Sequence, residues 1–371
     1  MKIARNHNLN AFLSVQGVTQ GGVNSIYYDE AVYFRRSAVG SINSTVDQEE
    51  WMQGDISASY SNSLGGQQNF TTPGTTSWSI PGAVNVSYMC FLLVGAGGSG
   101  MGTSSYAPGA GGGSLVWVNN VPMTDDGTLE ITVASEAPKT SGIPTPYGGY
   151  QVNHFSRITG TWGGQSVFWQ AGGAPNPRRT NSANDTYAQG GNASLPSIGS
   201  NATLNTAGVT QAGYSGGRGG YGYAYAGGGG GAAGYSGAGG RGGGQTQNQY
   251  YGAGLSGSGG GGGGGGACGS FDAGGNGGGV GIFGEGSSGS GGAGGSGNAA
   301  NGYGGSGGED GGRGGGLYQG SSTYINKGGD YGGGGASADN TYGEHGSGAQ
   351  GVVRIIWGAG RGYPATLTGD I

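Results

Sequence analysis

Phe91-Leu92-Leu93-Val94-Gly95-Ala96-Gly97-Gly98-Ser99-Gly100 (FLLVGAGGSG, 91–100) joins an apolar strand directly to a glycine-rich stretch. Glycines 95, 97 and 100 spell G-x-G-x-x-G after a strand, the pattern of a dinucleotide-binding turn. That turn needs a helix to follow, because the helix N-terminus faces the pyrophosphate. Residues 101–113, MGTSSYAPGAGGG, carry a proline, five glycines and no apolar period of 3.6, so no helix starts there. Chance also supplies the motif. With 100 glycines in 371 residues, three fixed glycines recur at roughly seven positions in such a chain. The stretch is read as a buried strand running into a glycine-rich excursion.

Composition bounds the rest. Glycine is far above its average of roughly 7%, apolar residues make up 33% and charged residues only 9%. Such a chain builds one modest apolar core. The net charge of −5 argues against a phosphate-binding surface, so no nucleic-acid partner is expected. The two cysteines, Cys90 and Cys268, are too few and too far apart for a disulfide framework or a zinc site. Cys90 lies in an apolar strand and is expected buried, and Cys268 is expected partly exposed. MKIARNHNLNAFLSV lacks the apolar run of a signal peptide, so synthesis in a cytoplasm without such a signal is expected. No 18-residue apolar stretch is present.

Three regions follow. Residues 1–69 are near normal in composition and read as a small β-rich or mixed module or as an assembly segment held by a partner. Residues 70–212 with 351–371 hold the strand signals: TTSWSIPGAV alternates, VSYMCFLLV reads as a strand buried on both faces, and SLVWVNNVP, TLEITVAS and QSVFW continue the pattern. Pro81-Gly82, Asp125-Asp126-Gly127 (a hairpin turn) and Gly163-Gly164 punctuate them. Residues 174–212 read as exposed loops. GVVRIIW, 351–357, is a strand expected to close the sheet begun near residue 75. The fold class is therefore all-β: an antiparallel β-sandwich or jelly-roll-like module with a large glycine-rich insertion at 213–350.

That insertion holds 64 glycines in 138 positions. Gly/Ser-rich tracts are ordinarily flexible linkers. Three features argue for order. The block has only four basic and seven acidic residues, whereas disordered chains stay solvated through charge. It has no proline, none occurring between Pro196 and Pro364, as suits a structure that uses every backbone donor. Its glycines come in runs, such as 227–231, 259–266 and 332–335. The ordered form open to such runs is the polyglycine II helix, with three residues per turn and hydrogen bonds only between neighbours, assisted by Cα–H···O contacts. Collagen, calcium-repeat and silk patterns do not fit. Arg218, Arg241 and Arg313 sit in GGRGG or GGRGGG, a spacing seen in RNA-binding tracts, but the block is net acidic.

The order FTTPGTTSWSIPGAVNVSYMCFLLVGAGGSG, GAGGGSLVWVNNVPMTDDGTLEITVAS, GGQSVF and GVVRIIWG resembles the glycine-rich domain of bacteriophage tail and tail-fibre proteins over about residues 70–371. It is similar also to glycine-rich distal tail-fibre adhesins. The resemblance implies a virion structural protein on the external surface of the particle, docked to other tail or capsid proteins through residues 1–69. It implies that loops between polyglycine II runs contact a host surface polysaccharide or outer-membrane protein, and it is compatible with a homotrimer. The alternative is a capsid or tail decoration or fibre component without adhesive function. Tyrosine and phenylalanine supply rigid contact area at low entropy cost. The receptor-contact candidates are Tyr250 and Tyr251 in QTQNQYYGAGLS, Phe271 in ACGSFDA, Ile282 and Phe283 in VGIFGEGSS, Tyr318 and Tyr324 in LYQGSSTYINK, and Tyr342 in DNTYGEH. His7, His154 and His345 have no partner at metal-ligand spacing, and no catalytic constellation stands out. No enzyme activity, cofactor or metal is expected.

Overall fold

The computed structural model describes residues 65–79, 88–101, 108–122, 128–137, 154–162, 165–175, 177, 209–222, 226–246, 249–267, 274–294, 327–338, 345–358, 360–364 and 367–369. These residues form strands and connecting segments, with no helix among them. The strands are β1 (Gly66–Phe70), β2 (Gly74–Ser79), β3 (Tyr88–Val94), β4 (Leu115–Pro122), β5 (Thr128–Val133), β6 (Ser156–Trp162), β7 (Gln165–Ala171), β8 (Thr210–Tyr214), β9 (Gly244–Thr246), β10 (Gln249–Tyr251) and β11 (Val352–Trp357). One antiparallel sheet has the order β1-β11-β3-β4-β8 and a second has β2-β5-β6-β7, while β9 and β10 pair by themselves.

Alternation explains how the two large sheets meet. Met89, Phe91 and Leu93 of β3, with Val353, Ile355 and Trp357 of β11, share a core with Leu129, Ile131, Ile158, Val167 and Trp169 of the second sheet. Phe91 stacks on Trp169 with ring centres 5.1 Å apart. The opposite face of the first sheet is buried as well. Cys90, Leu92 and Val94 of β3, with Val352 and Ile356 of β11, pack on Ala232, Ala233, Tyr235, Val280 and Ile282 of the glycine block. A strand covered on both sides reads as a continuous apolar run, which is why MCFLLV does not alternate. Burial pushes the Cys90 thiol above its ordinary range, partly offset by the Asn120 backbone and the Arg361 charge.

A bulge keeps β4 in phase. The β3–β4 register shifts between Met89 and Phe91, and Asn120 adopts a φ of 58°. The extra residue lets Val116, Val118 and then Val121 all face the same core. Asn119 beside it accepts a hydrogen bond from the Tyr363 N–H at 2.9 Å and so ties down the C-terminal segment.

Several expectations need correction. The strand at 351–357 does close a sheet, but it lies between β1 and β3; β2, at 74–79, belongs to the other sheet. Asp125-Asp126-Gly127 is not the turn of a β4–β5 hairpin, because β4 and β5 lie in different sheets; residues 123–127 themselves are outside the described residues. Two boundaries drawn from composition fall inside strands: 69/70 cuts β1, which pairs with β11, and 212/213 cuts β8, which pairs with β4. Of residues 174–212, read as loops, 210–212 are therefore strand.

Candidate functional site

At one end of the first sheet, β3, β4, β8 and β11 all pass directly into glycine-rich runs. The runs carry the antiparallel order of the strands onward. Gly95 N–H donates to Ser114 O and Gly98 N–H to Gly111 O, at 2.9 and 3.0 Å. On another side, Gly97 N–H donates to Ala349 O and Gly100 N–H to Gly346 O, both at 2.9 Å. The same partner run recurs every third residue, so the chain points its amides in three directions in turn.

Residues 226–234 show the pattern complete. Their N–H groups go to three neighbours: Gly228 and Gly231 to Gly243 and Gly240, Gly229 and Ala232 to Gly275 and Gly278, Gly230 and Ala233 to Ala110 and Gly113. Their carbonyls accept from three others: from Gly217 and Gly220, from Gly262 and Gly265, and from Gly334 and Ser337. This run is enclosed by six others. Glycine is required by closeness: a Cβ on Gly231 would lie 2.0 Å from Gly262 O, and one on Gly230 2.1 Å from Gly217 O. Asn276 is a side chain that joins this backbone network. Fully buried, its Oδ1 accepts the Ala336 N–H at 2.7 Å, as a peptide carbonyl would.

The hydrogen bonds also fix direction. The described parts of the runs leading away from the sheet reach Met101, Gly222, Thr246, Ala267 and Ala338, and those of the runs leading back toward it start at Pro108, Ala226, Gln249, Gly274 and His345. A further outgoing run is described as far as Gly294. The opposite ends turn back beside the sheet. Gly234 N–H donates to Gly237 O, Gly261 N–H to Ser258 O and Gly333 N–H to Gly329 O. The turn at 258–261 uses φ of 55° at Gly259 and 78° at Gly260, which glycine adopts without a steric cost.

The candidate contact residues separate along this axis. Tyr250 and Tyr251 lie on β10, paired with Gln245 and Gly244 of β9, at the end remote from the sheet. Phe271, Tyr318, Tyr324 and Tyr342, like Cys268, fall outside the described residues. Phe271 lies in the connection between Ala267 and Gly274, and Tyr342 in that between Ala338 and His345. Ile282 and Phe283 are at the sheet side, and there the expectation of receptor contact is corrected. Ile282 is 4% exposed in the apolar contact with β3 and β11. Phe283 is half-buried against the same cluster, its ring 4.5 Å from the Arg354 guanidinium. Their hydrophobicity is used to seat the glycine block on the sheet.

Arg354, fully buried in β11, donates from Nη2 to Thr368 O at 2.8 Å. Arg361 donates to Leu367 O and Gly66 O at 2.8 and 2.6 Å and so joins the C-terminal segment to β1. These arginines are structural ties. Lys327 reaches Asp330 at 3.1 Å and Glu136 at 3.7 Å, and Ser347 Oγ donates to Glu136 at 2.6 Å, linking the glycine block to the segment after β5. Among the described residues no three His, Cys, Asp or Glu side chains are placed to hold a metal ion. No protein-family model matches the chain, and no curated protein matches it.

Proposed function

We propose that the glycine runs are polyglycine II helices packed as a bundle, and that the protein is a bacteriophage virion structural protein, a tail-fibre or tail-tip adhesin. In this reading the two-sheet module is the scaffold, the residues before β1 dock onto other virion proteins, and the end of the bundle remote from the sheets meets a host-surface receptor. The polyglycine II assignment is supported by the three-residue recurrence of partners and by the six neighbours around residues 226–234. The adhesive role is supported chiefly by one observation: the described outgoing runs all lead toward, and the returning runs all lead from, the same end remote from the sheets. A rigid support whose runs share one free end is what a recognition surface needs.

Two experiments test this. Labelling the protein in imaged particles should place it on the outer tail or fibre. Replacing Tyr250, Tyr251, Phe271 and Tyr342 together with alanine should lower adsorption to host cells while particles assemble normally. Unaltered adsorption by particles carrying the quadruple variant would favour a decoration or fibre role without receptor contact.

A further inference from the structure

The second sheet packs on the first through one face only. Registers across β5, β6 and β7 set Glu130, Thr159 and Phe168 in one row and Thr132, Arg157 and Gln170 in the next. The residues that alternate with them, such as Ile131, Ile158 and Trp169, fill the shared core, so both rows lie on the outer face. Glu130 and Phe168 are exposed there, and the other four are half-buried. Phe168, at 39% exposure, is a large apolar ring on an otherwise polar face. Beside it Arg157 is held on three sides. Its Nε and Nη2 donate to Gln170 Oε1 at 2.9 and 2.6 Å. Its guanidinium lies 3.8 Å from the centre of the Phe155 ring and 5.2 Å from that of Phe168, both within cation–π range. A surface arginine ordinarily samples many rotamers and loses that freedom on binding. These contacts fix Arg157 beforehand, and none of its bonds to Gln170 uses Nη1.

We propose that this outer face of the second sheet binds a neutral polysaccharide. The Phe168 ring offers an apolar plane to the C–H face of a sugar. Arg157 Nη1 donates to a sugar oxygen, the Glu130 carboxylate accepts from a sugar hydroxyl, and Thr159 and Thr132 can do either. Charge selects among ligands. Glu130 and Arg157 are diagonal neighbours on adjacent strands, roughly 7–8 Å apart at their Cα atoms. An acidic chain lying across both meets Glu130 unfavourably and a basic chain meets Arg157 unfavourably, whereas an uncharged polyhydroxylated chain is repelled by neither. Size selects as well. The two rows span about 10 Å by 7 Å between Cα positions, which suits a few sugar units and falls far short of the ~800 Å² that a stable protein interface takes from each partner. The site lies on the sheet module, away from the remote end of the bundle, so it goes beyond the receptor-contact reading and does not depend on it.

The test presents the full chain to an array of neutral, acidic and amino-bearing oligosaccharides. The expected result is binding to at least one neutral oligosaccharide, little changed by salt. Phe168→Ala should weaken that binding roughly tenfold, and Phe168→Tyr should retain it because the ring is kept. Glu130→Gln should admit acidic oligosaccharides that the wild type rejects, a change in specificity that a purely structural role would not produce. Phe168 and Glu130 are exposed, so these variants keep the fold, which cooperative unfolding at a similar midpoint checks. Binding to no neutral oligosaccharide, binding confined to acidic ones, or equal binding by wild type and Phe168→Ala would each overturn the proposal. A silent array, with Phe168→Ala instead abolishing a complex with another protein, would overturn it in favour of a protein partner.

Discussion

Strand β3 and the run that follows it, 95–101, are one uninterrupted stretch of chain, yet they bury their backbone by different rules. In β3 the period is two. Met89, Phe91 and Leu93 fill one interface and Cys90, Leu92 and Val94 the other, so side chains do the filling and amides pair only within the sheet. Past Val94 the period becomes three, amides reach neighbours in three directions, and the space where side chains would sit is taken by other backbones. The first region is held by apolar area removed from water. The second is held by close backbone packing and by hydrogen bonds between neighbouring runs. Sequence tolerance should therefore be inverted between them: a core strand suffers when atoms are removed, the glycine block when atoms are added.

The largest effect is expected at the enclosed run. Gly231→Ala adds one methyl group, whose carbon would lie 2.0 Å from Gly262 O and 2.4 Å from Gly262 C. Both belong to a backbone carbonyl whose oxygen accepts the Gly240 N–H, and they cannot swing aside. The destabilisation should exceed about 4 kcal/mol, the range reserved for severe overpacking, measured by denaturant unfolding. A midpoint like that of wild type would break the comparison at its root. Asn276→Leu comes next. It removes the acceptor for the buried Ala336 N–H and should cost about 1–3 kcal/mol. In the sheets, Ile355→Val removes one methylene from the shared core and should cost only about 0.5–1.5 kcal/mol. If the methylene deleted from β11 proved costlier than the methyl added at Gly231, the inversion would be wrong.

A pH measurement probes the seam between the regions. The His154 carbonyl accepts the Ala96 N–H at 3.2 Å, and its imidazole is buried at 7% exposure. Burial holds its pKa below the ordinary value of 6.5, against a smaller opposing effect of the Ser135 backbone. The folded state therefore favours the neutral ring, and the unfolded chain binds more protons below that value. Stability should fall as pH drops from about 6.5 through the lowered folded pKa. His154→Gln should flatten that slope, whatever it does to stability at neutral pH, and an unchanged slope would remove His154 from the account.

Much of the sheet module was legible because its strands are either apolar throughout or cleanly alternating. MCFLLV, TLEITV and VVRIIW announce themselves through β-branched and aromatic residues. The edge strand β1, GQQNF, does not, because Gln68 and Asn69 are exposed and only Phe70 packs on the core. In β6, SRITGTW, Ile158 supplies the inward apolar side chain, while Arg157 points out toward Gln170, its Nε donating to Oε1 at 2.9 Å. The Asp-Asp-Gly signal marks a reversal but cannot say whether the next strand joins the same sheet. Ile282 and Phe283 were misread for a related reason. Apolar residues among glycines look like a loop tip until the register shows which end of the run they occupy. In S-G-G-R-G-G-Y, residues 215–221, every third residue turns outward while the glycines between them are buried. Composition alone hides that spacing.

The smallest effect belongs at the rim of the bundle. Run 286–294 bonds to 261–264 through the Gly289 and Gly292 amides, and its Gly289 and Gly292 carbonyls accept from Gly257 and Gly254. Those two glycines are buried, whereas Ser287, Ser290 and Ala293, each three apart, are exposed. A side chain at these positions meets water instead of another backbone, so the steric demand seen at Gly231 vanishes within the same kind of run. Ser290→Val adds more volume than Gly231→Ala, yet it should shift stability by less than about 0.5 kcal/mol, as for an ordinary surface substitution. The pair separates two causes. If glycine were needed for backbone freedom everywhere in the block, both positions would respond to bulk in proportion to its size. If glycine is needed only where another run lies against it, the larger substitution at Ser290 is silent and the smaller one at Gly231 is not, and unfolding midpoints of the two variants measured side by side decide it.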